Sequence, residues 1–468
     1  MSRMSNTKAA AKPGVKEDKQ TLKWWQLSLL GVASTIGTGY FLGSSLGIKL
    51  GGPSILIAFL LAAAGTFIVF DVLARMTAED PQEGSFRSYA KKAYGRWAGF
   101  STGWMYWCSE VLIMGSQMTA LALFTSFWLP QVPMWMFASG YAVLGLLVIW
   151  IGNKVFDRLE NVLAVLKVAA IVMFIVIGVI ALLGWLSGGI KPNVPLSTAE
   201  LFPTGGLGLW SSLIFAFYAF GGIEVMGVMA IRLKDPKEAP KSGRVMIIVL
   251  TIIYIFSLGL ALTLLPWNQF STTKSPFIVA LGSYQLPFVP HVFNAVLIVA
   301  GFSTMVASLY AVTTMLVTLS EDHDAPGLFS KKMFKQKTPL YALSLTAGGL
   351  LLSIVLSLLM PGKIYEYLTT AAGLMLLYNW FFILVSAGRN LKLTKWGQVK
   401  RYTGMLLILL AVSGSIFHHT SRPGFWISLG FILLILAVVL IMQSVWRKAE
   451  KLQGKGKAAS KLRAKPVR

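Results

Sequence analysis

The chain has 468 residues, of which 55% are hydrophobic and 13% are charged, and its mean hydropathy is +0.68. Soluble domains average about 25% charged residues, so this composition excludes a soluble globular protein, a disordered protein and a collagen, and it indicates a polytopic membrane protein. A formal net charge of +24 suggests nucleic-acid binding in a soluble protein, whereas in a membrane protein the same charge can reflect topology alone.

Long stretches almost free of charged residues predict twelve transmembrane helices, since about 20 apolar residues cross the hydrocarbon core of a bilayer. In chain order they are residues 24–48, 50–70, 97–128, 132–152, 163–186, 207–231, 245–266, 292–320, 339–360, 365–386, 402–418 and 425–445.

The basic residues predict the orientation of these helices. Of the 42 Lys and Arg residues, 36 lie in the tails and in alternate connections on one side, five lie in connections on the other side, and Lys167 lies inside a predicted helix. Cytoplasmic connections carry the basic excess, so we expect a multi-pass cell-membrane protein with both termini in the cytoplasm. The basic tails, 1–23 and 447–468, are expected to contact anionic lipid. No nucleic-acid partner is expected, because the carboxyl-terminal tail lacks interleaved aromatic residues.

Two predicted helices carry glycine pairs near their middle, at residues 34–39 of the first and 220–224 of the sixth. An interrupted helix survives in hydrocarbon only where its freed N–H and C=O groups are buried in protein or face a cavity. With five helices in each half, the sixth helix enters from the opposite side to the first, which predicts an inverted repeat with a binding site at the paired interruptions. Alternatively, Gly39, Gly43 and Gly47 form a small-residue packing stripe.

Short motifs follow one another along the chain, each weak alone but specific in this order and spacing. They are Ile36-Gly37-Thr38-Gly39-Tyr40-Phe41-Leu42-Gly43, Gly51-Gly52-Pro53-Ser54, Gly84-Ser85-Phe86 with Tyr89, Gly103-Trp104, Tyr106-Trp107, Gly222-Ile223-Glu224, Lys234-Asp235-Pro236, Leu309-Tyr310 and Ala325-Pro326. In these motifs the chain resembles the bacterial amino acid permeases of the amino acid, polyamine and organocation transporter superfamily. The resemblance runs from about residue 22 through the twelfth predicted helix.

The resemblance implies an all-α polytopic membrane protein of the leucine-transporter type. Its first five-helix repeat spans residues 24–190, the second, inverted repeat spans 201–388, and two further helices span 389–446. The family also implies transport of a free amino acid, usually coupled to protons, with no enzyme activity and no cofactor.

The family's substrate site also carries over to this chain by resemblance. The substrate carboxylate meets freed N–H groups at residues 37–39, and its ammonium meets carbonyl oxygens near residue 36 and at 217–220, which agrees with the charge preference of helix ends. The aromatic members at 217–220 are expected to form a lid, with contact to lipid or core as the alternative. The implied binding residues are Ile36, Gly37, Thr38, Gly39, Phe217, Tyr218, Phe220, Gly221 and Gly222.

Two charged residues inside predicted helices are candidates for proton coupling. A charge at the position of Lys167 costs about 2.5–3.5 kcal/mol on insertion scales and is functional by default. Lys167 matches the lysine that proton-coupled members of the family carry, so we expect it to bind or sense the proton, with Ser303 and Thr304 nearby. The alternative is a side chain whose ammonium reaches the cytoplasmic headgroups. Glu224 is expected either to relay protons or to hydrogen-bond freed backbone groups.

Three departures from the family pattern leave the gating details and the substrate open. Gln117 stands where a glutamate is common, while Glu110 lies seven residues earlier on nearly the same helix face. Arg232 replaces a glutamate that commonly precedes the Lys-Asp-Pro motif, and Thr314 replaces a frequent arginine.

The predicted cavity segments carry mainly Ser, Thr, Gly and aromatic residues, which favours a neutral amino acid as substrate. A cationic amino acid or an amine is the alternative if Glu224 faces the substrate side chain. A channel or a nutrient-sensing receptor on the same scaffold needs no coupling group, so Lys167 favours a carrier. The single cysteine, Cys108, and four scattered histidines predict no metal site, and no phosphate-binding loop or nucleophile motif supports a pump or an enzyme. The sequence predicts no particular oligomeric state.

Overall fold

The computed structural model describes residues 22–463 except 83, 152, 189–191, 332–338 and 360–362. Most of the N-terminal tail and the last five residues of the C-terminal tail therefore lie outside the described residues. Within them the chain forms helices and two isolated β-bridges, one between Leu22 and Leu233 and one between Gly188 and Tyr284. The predicted all-α class is confirmed for this part of the chain.

The helices of the described residues follow one another in a single series. The α-helices are α1 (Trp24–Thr35), α2 (Thr38–Phe41), α3 (Gly43–Gly51), α4 (Ile55–Glu79), α5 (Ser85–Tyr94), α6 (Arg96–Thr125), α7 (Met134–Ile151), α8 (Asn153–Leu182), α9 (Thr198–Leu201), α10 (Gly205–Tyr218), α11 (Ile223–Met229), α12 (Ala239–Leu264), α13 (Pro276–Leu281), α14 (Val289–Glu321), α15 (Leu340–Leu359), α16 (Ile364–Asn390), α17 (Lys395–Phe417) and α18 (Arg422–Arg463). Short 3₁₀ helices occur at Gly52–Ser54, Ala230–Arg232, Pro236–Glu238, Trp267–Gln269 and Gly327–Ser330.

Ten helical stretches of the described chain are long and apolar enough to cross a membrane. The first two predicted spans are not separate among them, because α1 has only 12 residues before it is interrupted and the following segments run on as one stretch, Thr38–Glu79. The ninth predicted span appears as a shorter apolar helix, Leu340–Leu356. A polytopic membrane protein is therefore confirmed, while the count of twelve spans and the repeat boundaries stay predictions.

The two interrupted helices lie at the centre of the molecule and run in opposite directions. The first interrupted helix comprises α1 to α3, and the second comprises α10 and α11. Since α3 packs against α10 and α1 packs against α11, the first half of each lies beside the second half of the other. The helices α7, α8, α17 and α18 expose many large apolar side chains, as expected of helices that face lipid. The interruptions of the two central helices are therefore the candidate functional site.

One end of the molecule, called here the basic end, carries the start of α1 and the ends of α4 and α14. The Arg87 guanidinium, 1% exposed, donates to Asp322 at 2.7 Å and to Asp324 at 2.5 Å, and Arg96 donates to Asp324 at 2.8 Å. Burial raises the pKa of the Asp322 carboxyl, but hydrogen bonds from Arg87 and Lys91 and their charges outweigh burial and hold it below its usual value. This cluster ties α5 and α6 to the end of α14.

Candidate functional site

The first helix interruption lies between α1 and α2. Ile36 leaves the helical conformation with φ −71° and ψ 105°, and Gly37 is extended with φ −151° and ψ −157°. The last carbonyl groups of a helix and the first N–H groups of the next have no partner inside their own helix. The predicted interruption is observed, and it presents carbonyl oxygens at the end of α1 and N–H groups at the start of α2.

The second interruption lies between α10 and α11, at residues 219–222. Gly222 has φ 109°, in the left-handed region that favours glycine. The carbonyl groups of Phe217 and Tyr218 accept hydrogen bonds from the N–H groups of Phe220 and Gly221, both at 3.0 Å, so the chain turns tightly before α11 begins. The predicted interruption is observed here as well.

The two interruptions lie close to each other. A Cβ atom on Gly222 would lie 3.5 Å from the carbonyl oxygen of Ser34 and 3.6 Å from the Cα atom of Thr35. A Cβ atom on Gly39 would lie 3.0 Å from the ring of Tyr218. Gly39, one member of the glycine stripe, thus serves the packing of α2 on α10 at the edge of the observed interruption.

Lys167 is buried at the end of α1. It is 0% exposed although its neighbours Val165 and Leu166 are 68% and 39% exposed, so the lysine faces the interior of the molecule. Its ammonium Nζ donates a hydrogen bond to the carbonyl oxygen of Ala33 at 2.9 Å. Ala33 lies in the last turn of α1, where carbonyl groups lack helical partners. The alternative of an ammonium that reaches the headgroups is therefore wrong.

The two α14 residues expected near Lys167 are buried on that helix. Thr304 lies against the first interruption, since a Cβ atom on Gly37 would be 2.8 Å from its methyl group. Its hydroxyl donates to the carbonyl oxygen of Gly301 at 3.0 Å. Ser303 is 1% exposed, and α14 packs against both α1 and α8. Thr304 is thereby placed beside the first interruption.

Glu224 lies in the first turn of α11 and is 0% exposed. One carboxylate oxygen accepts a hydrogen bond from the N–H of Gly222 at 3.0 Å, and the other accepts one from the indole N–H of Trp380 on α16. Of the two roles expected for Glu224, the bond to a freed backbone group is observed. The relay of protons stays a prediction.

The three aromatic residues expected to form a lid point in different directions. Phe217 packs against Gly65 of α4 and lies 6.2 Å, ring centre to ring centre, from Trp380. Phe220 lies 5.1 Å from Tyr254 of α12. Tyr218 is the member of the three that contacts the first interruption, so its ring is the strongest candidate for direct contact with a substrate.

Three residues that the sequence did not single out also hold the interruptions. The hydroxyl of Tyr365 on α16 donates to the carbonyl oxygen of Thr38 at 3.2 Å, and the hydroxyl of Tyr254 donates to that of Ala219 at 2.9 Å. The third residue, Trp380, donates from its indole N–H to Glu224, which itself binds the second interruption. Aromatic residues occur in every predicted span, so nothing in the local pattern marks these three.

Glu110 is a further buried carboxylate, 3% exposed on α6. The side chains of Tyr106 and Ser308 lie close to it. Gln117, on the same helix, is also buried, and its amide oxygen has no hydrogen-bond partner in the described part of the chain. The departure from the family pattern in α6 thus lies in the interior of the molecule.

Two cavities lie at the end opposite the basic end. The larger, about 540 Å³, is lined by the end of α6, residues 273–275, α13 and the start of α14. The smaller, about 40 Å³, reaches Leu46 of α3 and Tyr365. None of the predicted binding residues lines either cavity; Tyr365 joins the smaller one to the first interruption. No group of three or more potential metal ligands occurs in the residues described by the structure.

Known proteins match this chain over almost its whole length. A family model described as amino acid permease matches residues 26–461. An uncharacterized transporter, YcgH of Bacillus subtilis, is 56% identical over 91% of this chain and 96% of its own length. The aromatic amino acid transport protein AroP of Escherichia coli is 29% identical over 90% of each chain. An uncharacterized amino acid permease of B. subtilis, YvbW, is 30% identical over 79% of this chain and 84% of its own length.

Proposed function

The chain belongs to the amino acid permease family, and from that premise we propose that it is a proton-coupled secondary transporter that takes up a neutral amino acid by alternating access. The observation that carries the proposal is the Lys167 ammonium, which is fully buried and donates to the last turn of α1. A buried charge against an interrupted helix connects a proton site to a substrate site. A channel or a receptor has no need of that connection.

We place the substrate between the two interruptions. An amino acid carries a carboxylate, which the N–H groups at the start of α2 attract, and an ammonium group, which carbonyl oxygens at the ends of α1 and α10 attract. Tyr218 packs on Gly39 and would cover the bound molecule. The freed backbone groups, rather than charged side chains, then recognise the part that all amino acids share.

Proton binding acts through Lys167 and the end of α1. A cation at the carboxyl end of a helix is stabilised by about 0.3–1 kcal/mol at exposed sites and by up to about 2 kcal/mol in partly buried ones. Loss of the proton removes that attraction between α8 and α1. Two conformations that differ in this contact therefore differ in proton affinity, and a proton gradient shifts their populations.

A neutral substrate fits the charges near the interruptions. Glu224 accepts hydrogen bonds from Gly222 and Trp380 with its two oxygens, so each carboxylate oxygen already has a donor from the protein. The similarity to AroP, an aromatic amino acid transport protein, makes phenylalanine, tyrosine and tryptophan the first substrates to test. A cationic amino acid or an amine is the alternative if Glu224 turns towards the substrate.

We further propose that the basic end faces the cytoplasm of the cell, with both termini on that side and anionic lipid at the basic tails. The positive-inside rule supports this orientation. Cys108 is buried, so single cysteines added at each end can be labelled selectively. A cysteine at Thr273 is expected to react with a membrane-impermeant maleimide in intact cells, and one at Ser5 only after permeabilisation; the reverse pattern would contradict the orientation.

The experiment that tests the function combines binding with counterflow. A thermal-shift screen of the purified chain against the twenty amino acids identifies the ligand. Proteoliposomes preloaded with that unlabelled amino acid are then expected to accumulate the labelled form transiently, because a carrier exchanges substrate across the membrane. A channel gives no such overshoot, and a receptor gives a thermal shift without flux. Either result would contradict the proposal.

A further inference from the structure

The larger cavity at the end opposite the basic end has the size and lining of a small-molecule site. Its volume, about 540 Å³, falls in the range of about 300–1,000 Å³ that is usual for such sites. Phe124 of α6, Phe127 just after that helix and Ile278 of α13 supply apolar wall, and Lys274 is the one charged residue in the lining. A positive charge beside an apolar wall suits a molecule with an anionic group and an apolar side chain.

The walls of this cavity are held in place by buried polar contacts. The Ser45 hydroxyl of α3 donates to the backbone carbonyl of Lys274 at 2.8 Å. The Asn294 amide of α14, 2% exposed, donates to the backbone carbonyl of Phe124 at 2.7 Å. Helix α3 therefore fixes the segment that carries the lysine, and α14 fixes the neighbouring aromatic wall on α6.

Ser275 brings a buried hydroxyl without a hydrogen-bond partner to the wall of this cavity. It lines the cavity and is 0% exposed, yet its hydroxyl has no hydrogen-bond partner among the described residues. A buried polar group without a partner is costly, and it is commonly explained by a ligand or by water. The hydroxyl lies next in sequence to Lys274, so the two groups can serve one carboxylate.

The cavity also leads towards the interruptions. Leu123 and Thr273 line both the larger and the smaller cavity. Tyr365 lines the smaller one and donates from its hydroxyl to the carbonyl oxygen of Thr38. Tyr365 thus lies between the smaller cavity and the first interruption.

We propose that the larger cavity is a second binding site, in which an amino acid binds before it passes Tyr365. Its carboxylate binds the ammonium of Lys274 and the hydroxyl of Ser275, and its apolar side chain lies against Phe124 and Phe127. The inference rests on the proposed transport function and adds a site that acts on one face of the membrane only.

The test measures the KM of radiolabelled phenylalanine from each face, in right-side-out and in inverted membrane vesicles. Lys274→Gln is expected to raise the KM on the cavity side by on the order of tenfold, because a charge-assisted hydrogen bond is lost, and to leave the KM on the basic side unchanged. Lys49→Gln is the matched control, because Lys49 is an exposed lysine of α3 outside the cavity lining, and it is expected to change neither value.

A second pair of variants distinguishes the effect of the Ser275 hydroxyl on the KM from the effect of the shape of the cavity. Ser275→Ala is expected to raise the KM on the cavity side by about threefold, and Ser275→Thr, which keeps a hydroxyl, is expected to restore it. Equal KM changes on both faces, or no change in Lys274→Gln and Ser275→Ala, would overturn the second site while leaving transport intact. Absence of wild-type transport from either face would instead overturn the proposed function, and this site with it.

Discussion

Lys167 combines a buried charge with a hydrogen bond to the backbone carbonyl of Ala33. Glutamine is a close replacement, because its amide can still donate to that carbonyl while it carries no charge and binds no proton. We expect Lys167→Gln to keep counterflow of labelled amino acid and to lose accumulation driven by a pH gradient. Uptake in proteoliposomes measures both, with Lys49→Gln as control. Full gradient-driven accumulation by Lys167→Gln would contradict the coupling role.

Glu224 holds the second interruption through two hydrogen bonds, from Gly222 and Trp380. Glutamine at position 224 turns one acceptor into a donor that faces an N–H group, so Glu224→Gln is expected to destabilise the chain by about 1–3 kcal/mol. Trp380→Phe leaves one carboxylate oxygen without that donor and is expected to destabilise it as well. Thermal unfolding in detergent measures both effects.

Transport across a pH series tests whether Glu224 does more than hold the backbone. With a positioning role, Glu224→Gln lowers uptake by a similar factor at every pH, as Trp380→Phe does. A pH profile that flattens in Glu224→Gln, but keeps its shape in Trp380→Phe, would instead identify Glu224 as a proton relay.

At the scale of single residues, the sequence predicts the site residues whose type is unusual for a transmembrane helix. Lys167 and Glu224 are visible because charges are rare in apolar stretches, and Gly222 because glycine weakens a helix. Tyr254, Tyr365 and Trp380 escape prediction because each acts on a carbonyl or carboxylate that lies far away in sequence. Such partners depend on the tertiary structure, which a local pattern does not contain.

The interruption between α10 and α11 depends on the left-handed conformation of Gly222. Alanine has room there, since the nearest atoms lie 3.5 Å from the added Cβ, but it is strained at this positive φ by about 1–2 kcal/mol. Gly222→Ala is therefore expected to lower the stability of the chain and its rate of counterflow. Gly140→Ala in α7 is the control, because a Cβ there meets nothing within 4 Å. Equal melting temperatures of the two variants would contradict this account.

The cluster at the basic end joins α5 and α6 to the end of α14 through buried charges. Asp324→Asn leaves Arg87, 1% exposed, without its buried partner, and loss of one member of such a pair costs about 3–5 kcal/mol. Asp80→Asn is the matched control, because the pair of Asp80 with Lys92 is largely exposed and is worth about 0–1 kcal/mol. Thermal unfolding compares them. A loss in Asp324→Asn no larger than that in Asp80→Asn would show that the cluster does not hold the helices together.

At the scale of helices, the sequence predicts where apolar segments lie and where two of them are interrupted. It does not predict that α2 is a separate helix of four residues, or that a 3₁₀ turn at Gly52–Ser54 joins α3 directly to α4. Those features depend on Gly37, Gly39 and Gly52, whose close neighbours Thr304, Tyr218 and Pro203 lie far away in sequence.

The two ends of the whole molecule differ in a way that suits alternating access. Charged side chains close the basic end, and the described cavities lie at the other end. The charge count of the connections predicts which end carries the basic residues, because topology is encoded by the positions of Lys and Arg. The cavities themselves were not predictable, since they arise between helices that are distant in sequence.

The most direct test of proton-coupled amino acid uptake uses the purified chain in proteoliposomes whose interior is more alkaline than the medium. With labelled phenylalanine, tyrosine or tryptophan, the account predicts accumulation above the external concentration, and its loss when a protonophore removes the gradient. Uptake that only equilibrates the two sides, whether or not the gradient is present, would contradict proton coupling.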